Sequence, residues 1–450
     1  MKQADLIIIG AGPGGYETAV KAAEAGLATV IIEARRPGGT CLNEGCIPTK
    51  CLCRNAEMLY NLREAATYGI EDLSYKFDIR KAVERKNQVV GALVTGIESL
   101  LRNPRITYVN GKAEFTPGDA HIVQVNGEQY TAPNIIIATG SVTKYLPIEG
   151  AHLPGVLTST EMLDLDYIPA RVCIVGGGVI GLEFASIFNA FGSQVTIVEF
   201  CKEILPNFDG DIAKRLRQAL KGRGITFETQ AAVTAIRQNE GQGYSVEYEC
   251  KGKGAAVEAD VVLMAVGRVA NLDSLNLADT GIEFDRRGII TDEHFATNVP
   301  GVYAVGDING RCQLAHAATF QSFHVLNRIL GKEDGIRMDI IPAAVFTSPE
   351  AATVGMTEQQ CKENGIECKV HKGFFRANGK AMAMNETEGM VKIISDTDGN
   401  VLGCHLFGPH AADLIQEIAI LMQKNGTLSD LRDCIHAHPT LSEVLMNAAG

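Results

Sequence analysis

The sequence has no apolar run of the roughly 18–20 residues that a membrane-spanning helix needs. It has no excess of positive charge either: 41 Lys and Arg stand against 53 Asp and Glu, a net charge of -12. That balance argues against nucleic acid or an anionic membrane surface as the main partner. A secretory leader is not expected either. The start, MKQADLIIIGAGPGG, imitates one loosely, but Asp5 and the glycines that follow read better as a first strand and turn. Export is therefore not expected, and a cytoplasmic location is. Cysteine, by contrast, is plentiful: twelve are scattered along 450 residues. Such usage suits a reducing compartment, where most remain thiols. A disulfide that matters here is expected to be catalytic. The length allows two to four domains of ordinary globular composition.

One pattern occurs twice. DLIIIGAGPGGYETAVKAAEAGLATVIIEA reads as an apolar strand, a glycine turn, an Ala-rich helix and a second strand ending at Glu33. RVCIVGGGVIGLEFASIFNAFGSQVTIVEF repeats the plan and ends at Glu199, and in both the acid lies 23 residues past the first glycine. A lone GxGxxG is weak; two in strand–turn–helix–strand context, each with a terminal Glu, predict two Rossmann-like dinucleotide grips in an α/β protein. Gly10 and Gly176 permit the turn, Gly12 and Gly178 let backbone approach a pyrophosphate, and Gly15 and Gly181 let helix and strand pack closely. Gly14 lies within the first turn. The helix N-termini supply N–H groups to phosphate. Glu33 and Glu199 can accept hydrogen bonds from a ribose. Glu199 would repel a 2′-phosphate, so the second grip favours NAD over NADP; Lys202 nearby softens that preference without reversing it.

Between and after the grips, IIIATGS and VVLMAVGR are buried strands ending at Gly140 and Gly267, and Asp307 follows a third in VPGVYAVGDI. Ligands of open α/β sheets bind beyond strand C-termini, so Asp307 is a candidate to bond a cofactor hydroxyl. The alternative for it is a turn or helix cap. VNGEQY carries the Asn-Gly of a tight hairpin. From about residue 336 the pattern becomes α+β. The helix in HAADLIQEIAILMQKNG is apolar nearly all round from Leu414 to Met422 and should be buried on most sides, in a domain core or a subunit interface.

GGTCLNEGCIPTK places Cys41 eight residues after Glu33 and five before Cys46. That spacing does not put both side chains on one face of a regular helix. A disulfide would need an irregular turn, for which Asn43 and Gly45 leave room and after which Pro48 can start a helix. A redox pair, a metal site drawing on Cys51 or Cys53, and plain core thiols are the three readings.

The same segment resembles the redox-active stretch of the flavoprotein disulfide reductases, the class I pyridine nucleotide-disulfide oxidoreductases, and within them the lipoamide branch. The similarity covers essentially the whole chain, through both grips, IIIATGS, NVPGVYAVGDI, QLAHAA, FTSPEAATVGMTE, FRANGKAMAMNETEG and IHAHPTLSEVL. Thr49 stands where Ser is more usual, and QSFHV departs from the commoner pair after the AH motif. The resemblance implies an FAD domain (1–145) carrying a Cys41–Cys46 disulfide, an NAD domain (146–266), a central segment (267–335) completing the FAD domain, and a C-terminal α+β dimerisation domain (336–450). It implies FAD at Gly10, Gly12, Gly14, Gly15, Glu33, Thr40, Lys50, Ala113, Thr139, Gly140, Asp307 and Ala315. NAD is implied at Gly176, Gly178, Gly181, Glu183, Glu199, Val233 and Gly267, and no metal.

The implied reaction oxidises a protein-bound dihydrolipoyl dithiol and reduces NAD. Cys41 would exchange with substrate and Cys46 would face the flavin. Lys50 would lie near the flavin, its charge held by Glu183. A thiol reacts as thiolate, so a base is needed. HAHPTLSE offers His438, with Pro439 holding it out of the helical region and Glu443 able to orient its ring. His436 is the competing base. The resemblance also implies a homodimer in which the C-terminal domain of one subunit completes the site of the other. With the first grip starting at residue 5, the lipoyl carrier should be a separate protein of a 2-oxo acid dehydrogenase complex or glycine cleavage system. A glutathione or mercuric reductase is the alternative. Against it, the chain ends LMNAAG without a vicinal cysteine pair, and Glu199 stands where an NADP enzyme should carry basic residues.

Overall fold

The computed structural model describes every residue from Met1 to Gly450 except Ser274. The chain forms two compact units. The first gathers residues 1–49, 84–144 and 267–338. Its centre is a five-stranded sheet in the order Val302–Ala304, Asn134–Ile137, Leu6–Ile9, Thr29–Glu33, Ile106–Asn110, parallel throughout. The central strands are unbroken apolar runs because both faces are covered: Leu6, Ile7 and Ile8 are fully buried, as are Ile135, Ile136 and Ile137. The helices Pro13–Glu24 and Ala315–Ile329 approach closely where Gly14 leaves no side chain. A Cβ there would lie 3.0 Å from the Ala318 carbonyl oxygen, and the Ser322 hydroxyl donates to the Gly14 carbonyl at 2.5 Å. A smaller sheet carries the hairpin Asp119–Val125/Glu128–Thr131. Its turn residues Asn126 and Gly127 both have positive φ (52° and 79°), as a tight two-residue hairpin demands.

The second unit gathers residues 50–83, 145–266 and 339–450. It repeats the five-stranded parallel plan, in the order Val156–Leu157, Val261–Met264, Arg171–Val175, Gln194–Glu199, Thr226–Thr229. A three-stranded antiparallel sheet, Ala231–Gln238, Tyr244–Cys250 and Lys253–Ala259, joins it. The C-terminal part is a five-stranded antiparallel sheet ordered Ala343–Val345, Glu350–Gly355, Val401–Gly408, Met390–Ser395, Lys369–Phe374. The helix Ala411–Gln423 lies on it with Leu414, Ile415, Ile418 and Met422 buried. Ile420 is 64% exposed, so within its own chain this helix buries one stripe. A 3.6-residue period sends Ile420 and Glu417 away from the stripe that faces the sheet.

Within this unit Lys392 is buried (2% exposed). Its ammonium lies 2.9 Å from Asp209, 3.2 Å from Asp211 and 2.9 Å from Glu358. Asp209 also caps the helix Gly210–Gly222 by accepting the Asp211 N–H. Opposite Lys392 in the ladder, the fully buried His405 receives the Thr353 hydroxyl at Nδ1 (2.5 Å) and donates from Nε2 to the Met356 carbonyl (2.9 Å). Burial holds His405 below the usual imidazole value. Among the described residues, no helix is long and apolar enough to cross a membrane.

Candidate active site and dinucleotide grips

The two glycine turns are built alike. Gly10 and Gly176 have φ of 104° and 110°, and a Cβ on either would meet the carbonyl oxygen of Ala138 or Ala265 at 2.4 Å. A Cβ on Gly15 or Gly181 would lie 1.9 or 2.1 Å from the carbonyl of that same first glycine. No side chain fits at these four positions. The helices that follow start at extended Gly12 and Gly178, with no side-chain cap and no acid in the first turn. Their first N–H groups and the positive end of the dipole are thus left for an anion. Glu33 accepts the N–H groups of Ala11 (2.8 Å) and Arg35 (2.9 Å). Glu199 accepts those of Gly177 (2.5 Å) and Cys201 (2.6 Å). Each carboxylate is aimed by its own turn and keeps lone pairs to offer a ribose. Arg217 donates from Nε and one terminal nitrogen to Glu203, at 2.6 and 2.9 Å. The uncapped turns and oriented acids fit a dinucleotide in each unit.

The other expected cofactor positions are placed as follows. Thr40 stands in the short helix Gly39–Glu44, Ala113 is buried just before the strand Glu114–Thr116, and half-buried Ala315 opens its helix. Gly140 and Gly267 both have left-handed φ (70° and 109°), and a Cβ on either would meet nothing within 4 Å. Val233 sits where the pairing of Ala231–Gln238 shifts register. The Thr139 hydroxyl donates to the Asn271 carbonyl at 3.3 Å. Asp307, in the turn Gly306–Asn309, accepts the Ser141 hydroxyl at 2.5 Å. Arg268 donates to the Ser141 hydroxyl oxygen (2.7 Å) and carbonyl (2.6 Å). Burial raises the Asp307 carboxyl, against the pull of Ser141 and Arg268. Ser141 and Arg268 were not singled out from the sequence. Each directly follows one of the singled-out glycines, and their strands Ser141–Thr143 and Arg268–Ala270 pair antiparallel.

Cys41 lies within the helix Gly39–Glu44, and Cys46 opens the next helix, Cys46–Arg63. Both are half-buried. Gly45 breaks the helix between them at φ -139°, ψ -109°. A Cβ on Gly45 would lie 3.4 Å from Cys41 Cα and 2.9 Å from the Thr40 carbonyl oxygen, so the chain folds back on Cys41 just before Cys46. The second helix starts two residues ahead of Pro48, which occupies its first turn, where a missing N–H costs nothing. Cys51 is buried, and burial, then Glu183, pushes the Cys53 thiol strongly up. A thiol held protonated is a poor metal ligand.

Lys50, on the same helix as Cys46, holds Glu183 with both carboxylate oxygens at 3.0 and 3.1 Å. Glu183 is buried and also accepts the Phe346 N–H at 3.0 Å, while the Lys50 ammonium lies 4.4 Å from the Phe346 ring centroid. Phe346 was another residue the sequence did not flag.

The two histidines differ sharply. His438 lies in the loop before the helix Glu443–Ala449, with its side chain 79% exposed. Its Nδ1 is 2.9 Å from Glu443 Oε1, whose other oxygen accepts the Thr440 N–H at 2.9 Å. Thr440 first, then His438, holds the Glu443 carboxyl below its usual range. The His436 side chain is only 5% exposed and is bonded at both nitrogens, to Glu417 (2.6 Å) and the Cys434 carbonyl (2.9 Å). Burial opposes its charge, but Glu417 and the carbonyl outweigh it and raise its pKa. With both nitrogens occupied, His436 has none left to receive a substrate proton.

Comparison with known proteins agrees in class. Residues 4–322 match the pyridine nucleotide-disulphide oxidoreductase family, and residues 341–449 match that family's dimerisation domain. The mitochondrial dihydrolipoyl dehydrogenase of Pisum sativum is 39% identical over 99% of this chain and 90% of its own length. The dihydrolipoyl dehydrogenase of Chlamydia muridarum is 40% identical over 99% and 96%. Among solved structures, the HOCl-induced flavoprotein disulfide reductase RclA of Escherichia coli, as its Cu(II) complex, superposes with a TM-score of 0.88. It is 32% identical and covers 100% of this chain and 99% of its own. The chain belongs to the pyridine nucleotide-disulphide oxidoreductase family: it is an oxidoreductase with FAD and NAD as cofactors, and its dimerisation domain makes it a homodimer.

Proposed function

We propose that this protein is a dihydrolipoyl dehydrogenase, oxidising a protein-bound dihydrolipoyl group to its cyclic disulfide and reducing NAD. The observation that carries the reading is the His438–Glu443 pair, an exposed imidazole aimed by a carboxylate, in a chain with Cys41, Cys46 and two dinucleotide grips. The domain assignment goes with it: 1–145 with 267–335 for FAD, 146–266 for NAD, and 336–450 for dimerisation, the last completing the partner's site.

Glu443 accepts the Nδ1 proton of His438, so Nε2 is the free basic nitrogen. Nε2 takes a proton from one substrate thiol. The resulting thiolate attacks Cys41 Sγ, the Cys41–Cys46 bond breaks, and Cys46 leaves as thiolate. The second substrate sulfur then attacks the first, closing the lipoyl ring and releasing Cys41. Substrate has lost two electrons and the cysteine pair has gained them. FAD in the first grip would accept that electron pair, and NAD in the second would carry it away as hydride. Gly10, Gly12, Gly14, Gly15, Glu33, Thr40, Ala113, Thr139, Gly140, Asp307 and Ala315 would hold FAD. Lys50 would sit beside it, with Glu183 holding the lysine charge. Gly176, Gly178, Gly181, Glu199, Val233 and Gly267 would hold NAD, with Glu183 at the edge of that site.

The carrier would be a lipoyl-bearing protein of a 2-oxo acid dehydrogenase complex or the glycine cleavage system. Twelve cysteines support a cytoplasmic location. Steady-state turnover of dihydrolipoamide with NAD, set against glutathione disulfide with NADPH, tests the proposal. Activity only with the second pair would sink it.

A further inference from the structure

The stretch QSFHV, where the chain departs from the commoner pair, lies in the helix Ala315–Ile329, and its first two side chains, Gln321 and Ser322, are buried. A buried amide and a buried hydroxyl need partners. Both find them on the turns assigned to FAD. Gln321 Oε1 accepts the Gly306 N–H at 2.8 Å and the Asn309 side-chain amide at 3.0 Å. It thus holds the first and last residues of the turn Gly306–Asn309, which carries Asp307. Asn309 ties that turn to the strand before it by donating to the Ala304 carbonyl at 3.1 Å. Ser322 donates to the Gly14 carbonyl at 2.5 Å. With its one proton spent there, it accepts from the Thr18 hydroxyl at 2.5 Å. One helical turn earlier, Ala318 touches both places. A Cβ on Gly14 would lie 3.0 Å from the Ala318 carbonyl oxygen, and a Cβ on Gly306 would lie 2.9 Å from the Ala318 Cβ. Positions 318, 321 and 322 share one face of a helix, and that face meets the first glycine turn and the Asp307 turn together.

We propose that Gln321 and Ser322 are positioning residues for FAD, through which one helix holds the Asp307 turn and the first glycine turn in a fixed relation. The inference rests on the assignment of both turns to FAD. The glycine turn offers N–H groups to a pyrophosphate, and Asp307 offers a carboxylate to a cofactor hydroxyl. One dinucleotide engages both only when the two turns stand at the right separation. The Asp307 turn is bounded by Gly306 and Gly310, both at left-handed φ (74° and 68°). Glycine lends such a turn little stiffness, and the Gln321 oxygen supplies it from outside. Without that oxygen, the Gly306 and Asn309 donors can turn toward water as long as no FAD is bound. They must be dried again when FAD binds, so the cost of an unsatisfied buried donor falls on FAD affinity. The acceptor oxygen is the acting group. A Glu at position 321, ionised or protonated, keeps one, whereas a Met keeps only the bulk.

The experiment follows FAD release from the FAD-loaded dimer on dilution, read by flavin fluorescence, in wild type, Gln321→Met, Gln321→Glu, Ser322→Ala and Asp307→Asn. Gln321→Met should release FAD roughly ten- to a hundredfold more readily, and Gln321→Glu should stay close to wild type. Ser322→Ala should show a smaller increase, because the Thr18 hydroxyl, four residues on, can take over the Gly14 carbonyl. Wild-type release in Gln321→Met, with Asp307→Asn impaired, would overturn the proposal and leave the FAD assignment standing. Wild-type release in Asp307→Asn as well would overturn both. Equal impairment of Gln321→Met and Gln321→Glu would also overturn it, by tracing the effect to packing and not to the acceptor oxygen. If Gln321→Met does not fold, Ser322→Ala decides, and wild-type release there would overturn the proposal.

Discussion

His438 Nδ1 lies 2.9 Å from Glu443 Oε1, and the imidazole is otherwise open to solvent. His438→Gln removes the proton acceptor while keeping similar bulk. Loss of a general base costs about 10²–10⁴-fold, and that loss should fall on reduction of the enzyme by dihydrolipoamide. Reoxidation of reduced enzyme by NAD should change little, because the hydride passes to NAD without that base. Glu443→Gln should show the same pattern more mildly. Rapid mixing separates the two half-reactions. A His436→Gln variant more damaged than His438→Gln in the first of them would assign the base to the wrong histidine.

Glu199 should make the protein select NAD. Its carboxylate is held by two backbone amides. A 2′-phosphate would meet an aimed negative charge. We expect kcat/KM for NAD to exceed that for NADP by at least about tenfold, or about 1.4 kcal/mol. Equal values would contradict the assignment.

The Ser141–Asp307–Arg268 arrangement predicts a positioning effect on FAD. Ser141→Ala leaves the Asp307 carboxylate without its 2.5 Å hydroxyl donor. A hydrogen bond to a charged group is worth about 1.5–3 kcal/mol, so FAD should dissociate more readily, by roughly ten- to a hundredfold. Flavin fluorescence released on dilution measures this. Ser141→Thr keeps a hydroxyl and should restore much of the affinity, which a purely steric role for Ser141 would not allow.

Lys392 should be a stability residue. Removing one partner of a buried ion pair costs about 3–5 kcal/mol, and Lys392→Met strands Asp209, itself buried. The pH dependence follows from the acids around it. Lys362 first, then Lys392, lowers the Glu358 carboxyl to about 2, and Asp211 is also lowered, its lysine partners outweighing its burial. A carboxyl depressed by folding adds stability above its unfolded pKa and loses it as pH falls toward the folded value. The Lys392→Met deficit, measured by denaturant unfolding, should therefore hold steady near neutrality and shrink from about pH 4.5 toward pH 2. A deficit that grew on acidification would contradict this.

What could be read in advance was local. The two grips are encoded by glycines that must avoid a carbonyl 2 Å away and by an acid that its own turn aims, so spacing alone reveals them. Asp307 was visible as a strand-end acid. Its partners were not, because Ser141 and Arg268 meet only through the pairing of two strands more than a hundred residues apart. The Lys392 cluster is hidden for the same reason, since a lysine in MVKIIS looks like an ordinary exposed strand position. For the helix Ala411–Gln423, apolar content reports how much surface is hydrophobic, not which side the sheet of its own chain covers. The helix break at Gly45 was foreseen as an irregular turn, but not as a junction of two helices.

The central claim is that Cys41 and Cys46 together carry electrons from a dihydrolipoyl dithiol to NAD. It is tested most directly by NAD reduction with dihydrolipoamide in wild type, Cys41→Ser and Cys46→Ser, with FAD content measured in each. Wild type should turn over, and both variants should lose turnover while retaining FAD, because the cofactor grip lies in the glycine turn and Glu33. Near-normal turnover in either FAD-loaded variant would contradict the account.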